Sequence, residues 1–204
     1  MPGKASRAGP QSPRQLRIIA GTWRGSKLSF VDAGGLRPTG DRIRETLFNW
    51  LQGRIDGAHC LDLFAGSGVL AFEALSRGAA SAVAIDNNRA AIKQMQAAAR
   101  RLGANTLELY CSDALAWLQR EAVVKPASTF DIAFIDPPFG AKLVPASIAA
   151  LEQSDLLAGD ALVYVEQESG AALPQPPAHW QLVKNRLAGQ VNYLLYSRHL
   201  PLPV

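Results

Sequence analysis

Residues 61–71 read LDLFAGSGVLA: the end of an apolar strand, two glycines at Gly66 and Gly68, and the start of a helix. Glycine permits a tight turn and lets a backbone approach a ligand closely, so this order describes one βα unit whose connecting loop can receive a ligand. Outward from this stretch, apolar runs alternate with helical segments. They predict strands at about 59–64, 81–86, 107–111, 130–135 and 161–166, with helices at about 68–78, 88–102, 114–121 and 146–154 between them. Such alternation is the pattern of a parallel sheet covered on both faces. The end of the chain departs from it: QLVKNRL and VNYLLYS flank Ala188-Gly189-Gln190, which predicts an antiparallel hairpin. The expected fold is α/β, a doubly wound, mostly parallel seven-stranded sheet with a C-terminal antiparallel hairpin. No internal repeat is visible.

Upstream, residues 1–14 are rich in Pro, Gly, Ser and basic residues without periodicity and read as a disordered basic lead. Residues 15–55 form a small extension. LRIIAGTWRGSKLSF, broken at Gly21 and Gly25, predicts a β-hairpin, and Ile43, Leu47, Trp50 and Leu51 recur at helical spacing behind a Thr39/Asp41 capping region. Residues 56–204 make up the main domain.

Composition narrows the classes. The chain has 204 residues, 48% hydrophobic and 19% charged, which excludes collagen-like, coiled-coil and globally disordered proteins. No apolar stretch reaches the roughly 18 residues that span a bilayer, and the first residues lack the apolar core of a secretory leader, so a cytoplasmic protein is expected. Cys60 and Cys111 stand apart inside or beside apolar runs and read as reduced core residues, with neither a disulfide framework nor a zinc knuckle. His59, His179 and His199 form no ligand cluster, and no metal is expected. The net charge of +4 is uneven: residues 1–55 hold 10 Lys and Arg against 3 Asp and Glu, the remainder 11 against 14. A basic front on an acidic body suits a surface that tracks phosphates, although a solvated basic terminus has the same composition.

The glycine loop alone fits two nucleotide cofactors. Gly66-Ser67-Gly68-Val69-Leu70-Ala71 matches a dinucleotide fingerprint, and Asp86 follows at the end of the next strand, where an acidic group would hold ribose hydroxyls. Asp62 argues against a pyrophosphate, because a carboxylate repels phosphates but suits an amino-acid ammonium, and so a sulfonium cofactor carrying that moiety fits better. Asp113 could accept from an adenine amino group or cap the helix after it. The discriminating stretch is Asp136-Pro137-Pro138-Phe139, at the end of the fourth strand. Two consecutive prolines fix φ and remove two N–H donors, leaving a rigid segment of acceptors. An exocyclic amine is a poor nucleophile because its lone pair is delocalised into the ring. Accepting its N–H bonds at the Asp136 carboxylate and the Pro137 carbonyl would free that lone pair for a donated methyl, with Phe139 stacked on the base.

The glycine loop together with Asp136-Pro137-Pro138-Phe139 resembles the S-adenosylmethionine-dependent amino methyltransferases. The flanks narrow the resemblance to the RsmD type of 16S ribosomal RNA guanine-N2 methyltransferase. They are Arg17-Ile18-Ile19-Ala20-Gly21 with Trp23-Arg24-Gly25, Leu36-Arg37-Pro38-Thr39 with Asp41-Arg42, Arg44-Glu45-Thr46-Leu47-Phe48, Tyr164-Val165-Glu166 and Gly189-Gln190-Val191. The resemblance spans Gln15 to Ser197 and leaves residues 1–14 outside. It implies a Rossmann-like fold and a cofactor site at Asp62, Phe64, Gly66, Ser67, Gly68, Asp86, Asn87, Asp113, Ala114 and Asp136, with the chemistry at Asp136, Pro137, Pro138 and Phe139. It also implies a target at the guanine usually numbered 966, within a small-subunit particle, and a monomer. Asn87 stands where relatives carry charged residues, and Ala20 where glycine is common. RNA would meet Arg17, Trp23, Arg24, Lys27, Arg37 and Arg42, cations on phosphates and Trp23 as a stacking platform. Trp23 could equally pack the extension onto the main domain, and Arg42 could form a salt bridge.

Three other functions share parts of this pattern. An adenine-N6 or cytosine-N4 amino methyltransferase of DNA or RNA would use a similar tetrad and differs in its flanks. An NAD-dependent oxidoreductase would keep the glycine loop without a role for Asp136-Pro137-Pro138-Phe139. A non-catalytic RNA-binding assembly factor would keep the basic front without depending on Asp136.

Overall fold

A computed structural model describes residues 14–30, 40–124, 129–138, 140 and 142–200. The basic lead through residue 13, Arg37, Thr39 and Phe139 lie outside the described residues. In chain order the elements are β1 (Arg14–Arg17), β2 (Lys27–Phe30), α1 (Asp41–Trp50), β3 (His59–Asp62), α2 (Val69–Ser76), β4 (Ser81–Asp86) and α3 (Arg89–Leu102). Then follow β5 (Leu107–Cys111), α4 (Ala114–Val124), β6 (Phe130–Ile135), α5 (Val144–Gln153), β7 (Leu157–Glu168), β8 (Trp180–Ala188) and β9 (Val191–Arg198).

Seven strands form one sheet in the order β5-β4-β3-β6-β7-β9-β8, parallel except for β9, which runs antiparallel to both β7 and β8. The chain builds outward from β3 to β5 and then returns to the other flank of β3 with β6. That reversal puts two strand ends side by side with no connection crossing between them, the place where open α/β sheets bind ligands.

The central strands read as continuous apolar runs because both sheet faces are covered. Successive side chains go to opposite cores: Ile132 and Phe134 of β6 join the core with α1, α2 and α3, while Ala133 and Ile135 join the one with α4 and α5. The β1–β2 hairpin belongs to the first of these, through Ile18 and Leu28, both buried.

Several expectations shift. β7 begins four residues early and runs two longer, because Leu157 pairs with Phe130 before an irregularity restores register at Ile132↔Leu162. Helix α1 has Gly40 as its N-cap with no side-chain cap bond, and Asp41 sits in the first turn, where it accepts from Arg44 instead. Cys60 is buried as expected, whereas Cys111 is exposed. Strand β5 lies at the sheet edge and Cys111 is its last residue, so no neighbour covers it.

Candidate active site

The strand reversal organises the site. Leu63 N–H donates to the Phe134 carbonyl (3.1 Å), continuing the β3–β6 ladder to the strand tips. Asp62 ends β3 and Asp136 follows β6 directly, so the two carboxylates flank the switch. Asp62 is 2% exposed, and neither carboxylate oxygen has a hydrogen-bond partner among the described residues. Burial, and then the Asp136 and Asp86 carboxylates, push its pKa up to about 8; the Phe64 and Ala71 amides pull the other way without completing a bond. A buried carboxylate left this way costs free energy unless a cationic donor meets it. An ammonium group fits that need.

The glycine loop stands beside it. Gly66 has φ +54° and a Cβ there would project into open space, so its backbone is open to close approach by a ligand. Gly68, at φ +74°, is a glycine for packing, since a Cβ would lie 2.6 Å from Met95 Sδ. Asp86 pins the loop: one carboxylate oxygen accepts from Gly66 N–H (2.8 Å), the other from Asn88 N–H (2.7 Å). Burial raises the Asp86 pKa and these two amides lower it. Ser67 Oγ accepts from Val69 N–H, Phe64 is half-buried, and Asn87 is exposed. Asp113 caps α4 by accepting from Ala116 N–H (2.9 Å), and Ala114 is buried behind it. A donor-poor pocket edge, a backbone-lined loop and an orphaned carboxylate fit S-adenosylmethionine, whose amino-acid end carries the ammonium.

Pro137 is buried and Pro138 exposed. Next to it in the sheet, Tyr164 O–H donates to Glu166 (2.7 Å), with both residues buried on β7. Burial, the Glu166 carboxylate and the Asp136 carboxylate raise the Tyr164 pKa well above that of a free phenol.

The extension is fastened to α2, the helix that starts at the glycine loop. Glu73, 0% exposed, accepts from Ile19 N–H (2.7 Å), Ala20 N–H (3.0 Å) and Arg77 Nε (2.7 Å), with the buried Arg44 guanidinium 3.6 Å away. Ser76 Oγ donates to the Ala20 carbonyl and accepts from Trp23 N–H. Gly21 passes so close that a Cβ would lie 1.7 Å from the Ser76 carbonyl oxygen. Trp23 meets Phe72 edge-on at 6.4 Å, the packing arrangement that the sequence left open. Arg17 lies 3.9 Å from Asp41, while Arg24, Lys27 and Arg42 are exposed. The Glu73 junction went unread in the sequence, although a lone Glu inside the apolar helix VLAFEALS was its signal.

Among solved structures, a candidate methyltransferase, yhhF, from Escherichia coli superposes with a TM-score of 0.82 at 46% identity, covering 91% of this chain and 99% of that one. Fold and site thus define a methyltransferase of the Rossmann-like class. A family model described as "Conserved hypothetical protein 95" matches residues 16–197, and the chain belongs to that family. It is 47% identical over 184 residues to ribosomal RNA small subunit methyltransferase D of Escherichia coli K12, covering 90% of each chain. It is 40% identical to the protein of that name from Haemophilus influenzae, covering 92% of this chain and 96% of the relative. No helix among the described residues is long and apolar enough to cross a membrane, and no group of three or more His, Cys, Asp or Glu among them could hold a metal.

Proposed function

We propose that this protein transfers the methyl group of S-adenosylmethionine to the exocyclic N2 amino group of a guanine, the one usually numbered 966, in 16S ribosomal RNA. The observation that carries this reading is the pair of strand-end carboxylates: Asp62 buried without a partner, and Asp136 beside it at the head of a proline pair that offers acceptors only. The relatives named for small-subunit ribosomal RNA support the choice of substrate.

When bound, S-adenosylmethionine supplies an electrophilic methyl on a cationic sulfur. Asp62 takes its ammonium, Gly66, Ser67 and Gly68 line its amino-acid end, Asp86 and Asn87 face the ribose, and Asp113, Ala114 and Phe64 border the adenine. Asp136 and the Pro137 carbonyl accept the two N–H bonds of the guanine amine, turn its lone pair toward the methyl, and leave Asp136 placed to receive the proton released. Phe139 stacks on the base, and Arg17, Trp23, Arg24, Lys27, Arg37 and Arg42 meet the RNA. The chain's contribution is positioning and electrostatics. The target base must leave its stack to reach Asp136, which favours a loop nucleotide. The substrate is a small-subunit particle, the enzyme a monomer, and the location the cytoplasm.

The test is tritium transfer from labelled S-adenosylmethionine to unmodified small-subunit RNA and particles, with the labelled nucleoside identified by mass spectrometry. N2-methylguanine at that position, reduced by about a thousandfold in Asp136→Ala, is the expected result. Label in adenine or cytosine, or undiminished transfer by the variant, refutes the assignment.

A further inference from the structure

The cleft between α1 and the β8–β9 turn lies outside the carboxylate site described above, and of its lining residues only Arg42 has a role in the proposed function, as an RNA contact. It encloses about 300 Å³ and is lined by Arg42, Ile43 and Thr46 on one wall and Arg186, Leu187, Gly189 and Tyr193 on the other. Two exposed guanidinium groups thus share one cleft. Neither makes an ion pair or a side-chain hydrogen bond among the described residues. On the β8–β9 side no acid is near in sequence, since residues 169–204 contain no Asp or Glu while Lys184 and Arg186 lie on β8; Asp41 and Glu45 share α1 with Arg42, and Glu166 and Glu168 of β7 pair with Tyr193 and Val191. Like charges facing each other across a cleft repel and weaken the fold unless an anion sits between them.

The register places this cleft relative to the chemistry. Phe134 of β6 pairs with Tyr164 of β7, and Glu166 of β7 pairs with Tyr193 of β9. Asp136 therefore lies level with Glu166 and Tyr193, two strand spacings from the latter, roughly 10 Å at the usual interstrand distance. Tyr193 and Phe134 belong to the same core, so the cleft and the end of β6 that leads to Asp136 share one face of the sheet. That separation is about the axial length of three stacked nucleotides, at a rise of roughly 3.4 Å each. Leu187, 65% exposed, adds an apolar surface that a sugar or base can cover.

We infer that the α1/β8–β9 cleft binds the phosphate backbone of the RNA strand flanking the target guanine, with Arg42 and Arg186 as paired phosphate ligands and Lys184 on the outer approach. This rests on the ribosomal RNA reading above. It gives the Gly189-Gln190-Val191 turn a purpose: Gly189, at φ +61°, reverses the chain tightly enough for the Arg186 strand to face α1.

The test is steady-state methyl transfer to small-subunit RNA, free and in particles, by wild type and by Arg186→Ala, Arg42→Ala, the double variant, Arg186→Lys and the distant control Arg100→Ala. Each single alanine variant should raise KM for RNA about tenfold at constant kcat and lower the log–log salt slope by roughly 0.7 to 0.9. Arg186→Lys should recover most of the KM, Arg100→Ala should match wild type, and S-adenosylhomocysteine affinity should not move. The melting temperature of the alanine variants should hold or rise, because a repulsion is removed; a purely structural arginine would lower it. An unchanged KM and salt slope in the double variant of an active enzyme overturns the cleft assignment. So does a raised KM on particles with an unchanged salt slope, which would mark a protein partner instead. A wild type that binds S-adenosylhomocysteine yet methylates no RNA overturns the reading on which the inference rests.

Discussion

Two carboxylates, Asp62 and Glu73, are almost completely withdrawn from water in this protein and meet opposite treatment. Glu73 is surrounded by donors: two backbone amides of the extension, Arg77, and Arg44 close by. Asp62, eleven residues upstream at the tip of β3, has no hydrogen-bond partner among the described residues. The fold completes one carboxyl group and leaves the other without a partner among the described residues. A satisfied buried charge holds two parts of a chain together; an unsatisfied one at a sheet reversal marks where something else binds.

Removing the satisfied group should break this contrast most severely. Glu73→Ala takes the acceptor from two half-buried amides and Arg77 and leaves buried Arg44 with Asp41 and the Arg17 carbonyl, and should cost about 3 to 5 kcal/mol, lowering the melting midpoint on the order of 10 °C. Calorimetry showing a loss under 1 kcal/mol would mean that Glu73 is not the fastening point.

Removing the unsatisfied group should abolish a pH dependence and leave the fold at least as stable, more so toward pH 8. Folded, ligand-free protein keeps a proton on Asp62 up to about pH 8, whereas the unfolded chain releases it near 4. Stability from this group therefore declines as pH rises from about 4 to 8 and then levels. An ammonium ligand displaces that proton, so S-adenosylhomocysteine affinity should rise by up to about tenfold per pH unit between 6 and 8. Asp62→Asn should flatten both curves and weaken binding on the order of a hundredfold at pH 8. Isothermal titration with a parallel slope in the variant would refute the pairing.

A smaller effect separates packing from RNA contact at the extension. Trp23→Ala should lose about 1 kcal/mol of stability through its edge contact with Phe72. If denaturant midpoints stay put while KM for RNA rises, Trp23 serves the substrate alone. Smallest of all is a pair in neither region: Arg54 and Asp160 meet at 3.1 Å on the exposed surface, and Arg54→Ala should cost no more than about 0.5 kcal/mol by chemical denaturation.

The apolar runs of β3, β4 and β6 and the terminal hairpin were legible in the sequence because burial on both faces leaves an unbroken signal. Gly66 and Asp136 were legible because a positive φ and a proline pair are local demands written in residue type. The Glu73 junction was not, since its meaning depends on Ile19 and Ala20, more than 50 residues away. Nor was the cleft of Arg42 and Arg186, which lie 144 positions apart and meet only when β9 folds back along β7. For Asp113 and Trp23, residue type allowed two roles each; the coordinates supply the cap and the Phe72 contact.

The strand reversal at β3 also governs how this chain can be born. Cys60 pairs with Ile132, so β3 must wait for β6 across 72 positions. At about 5 to 20 residues per second that is roughly 4 to 14 s of synthesis, during which one edge of β3 stays unpaired outside the ribosome. The Glu73 junction, by contrast, joins segments that have both emerged well before then. Half of this molecule can therefore be assembled while the strand-end carboxylate pair is still incomplete, and a nascent chain stalled before residue 130 would display the extension docked and the β6 side of β3 open.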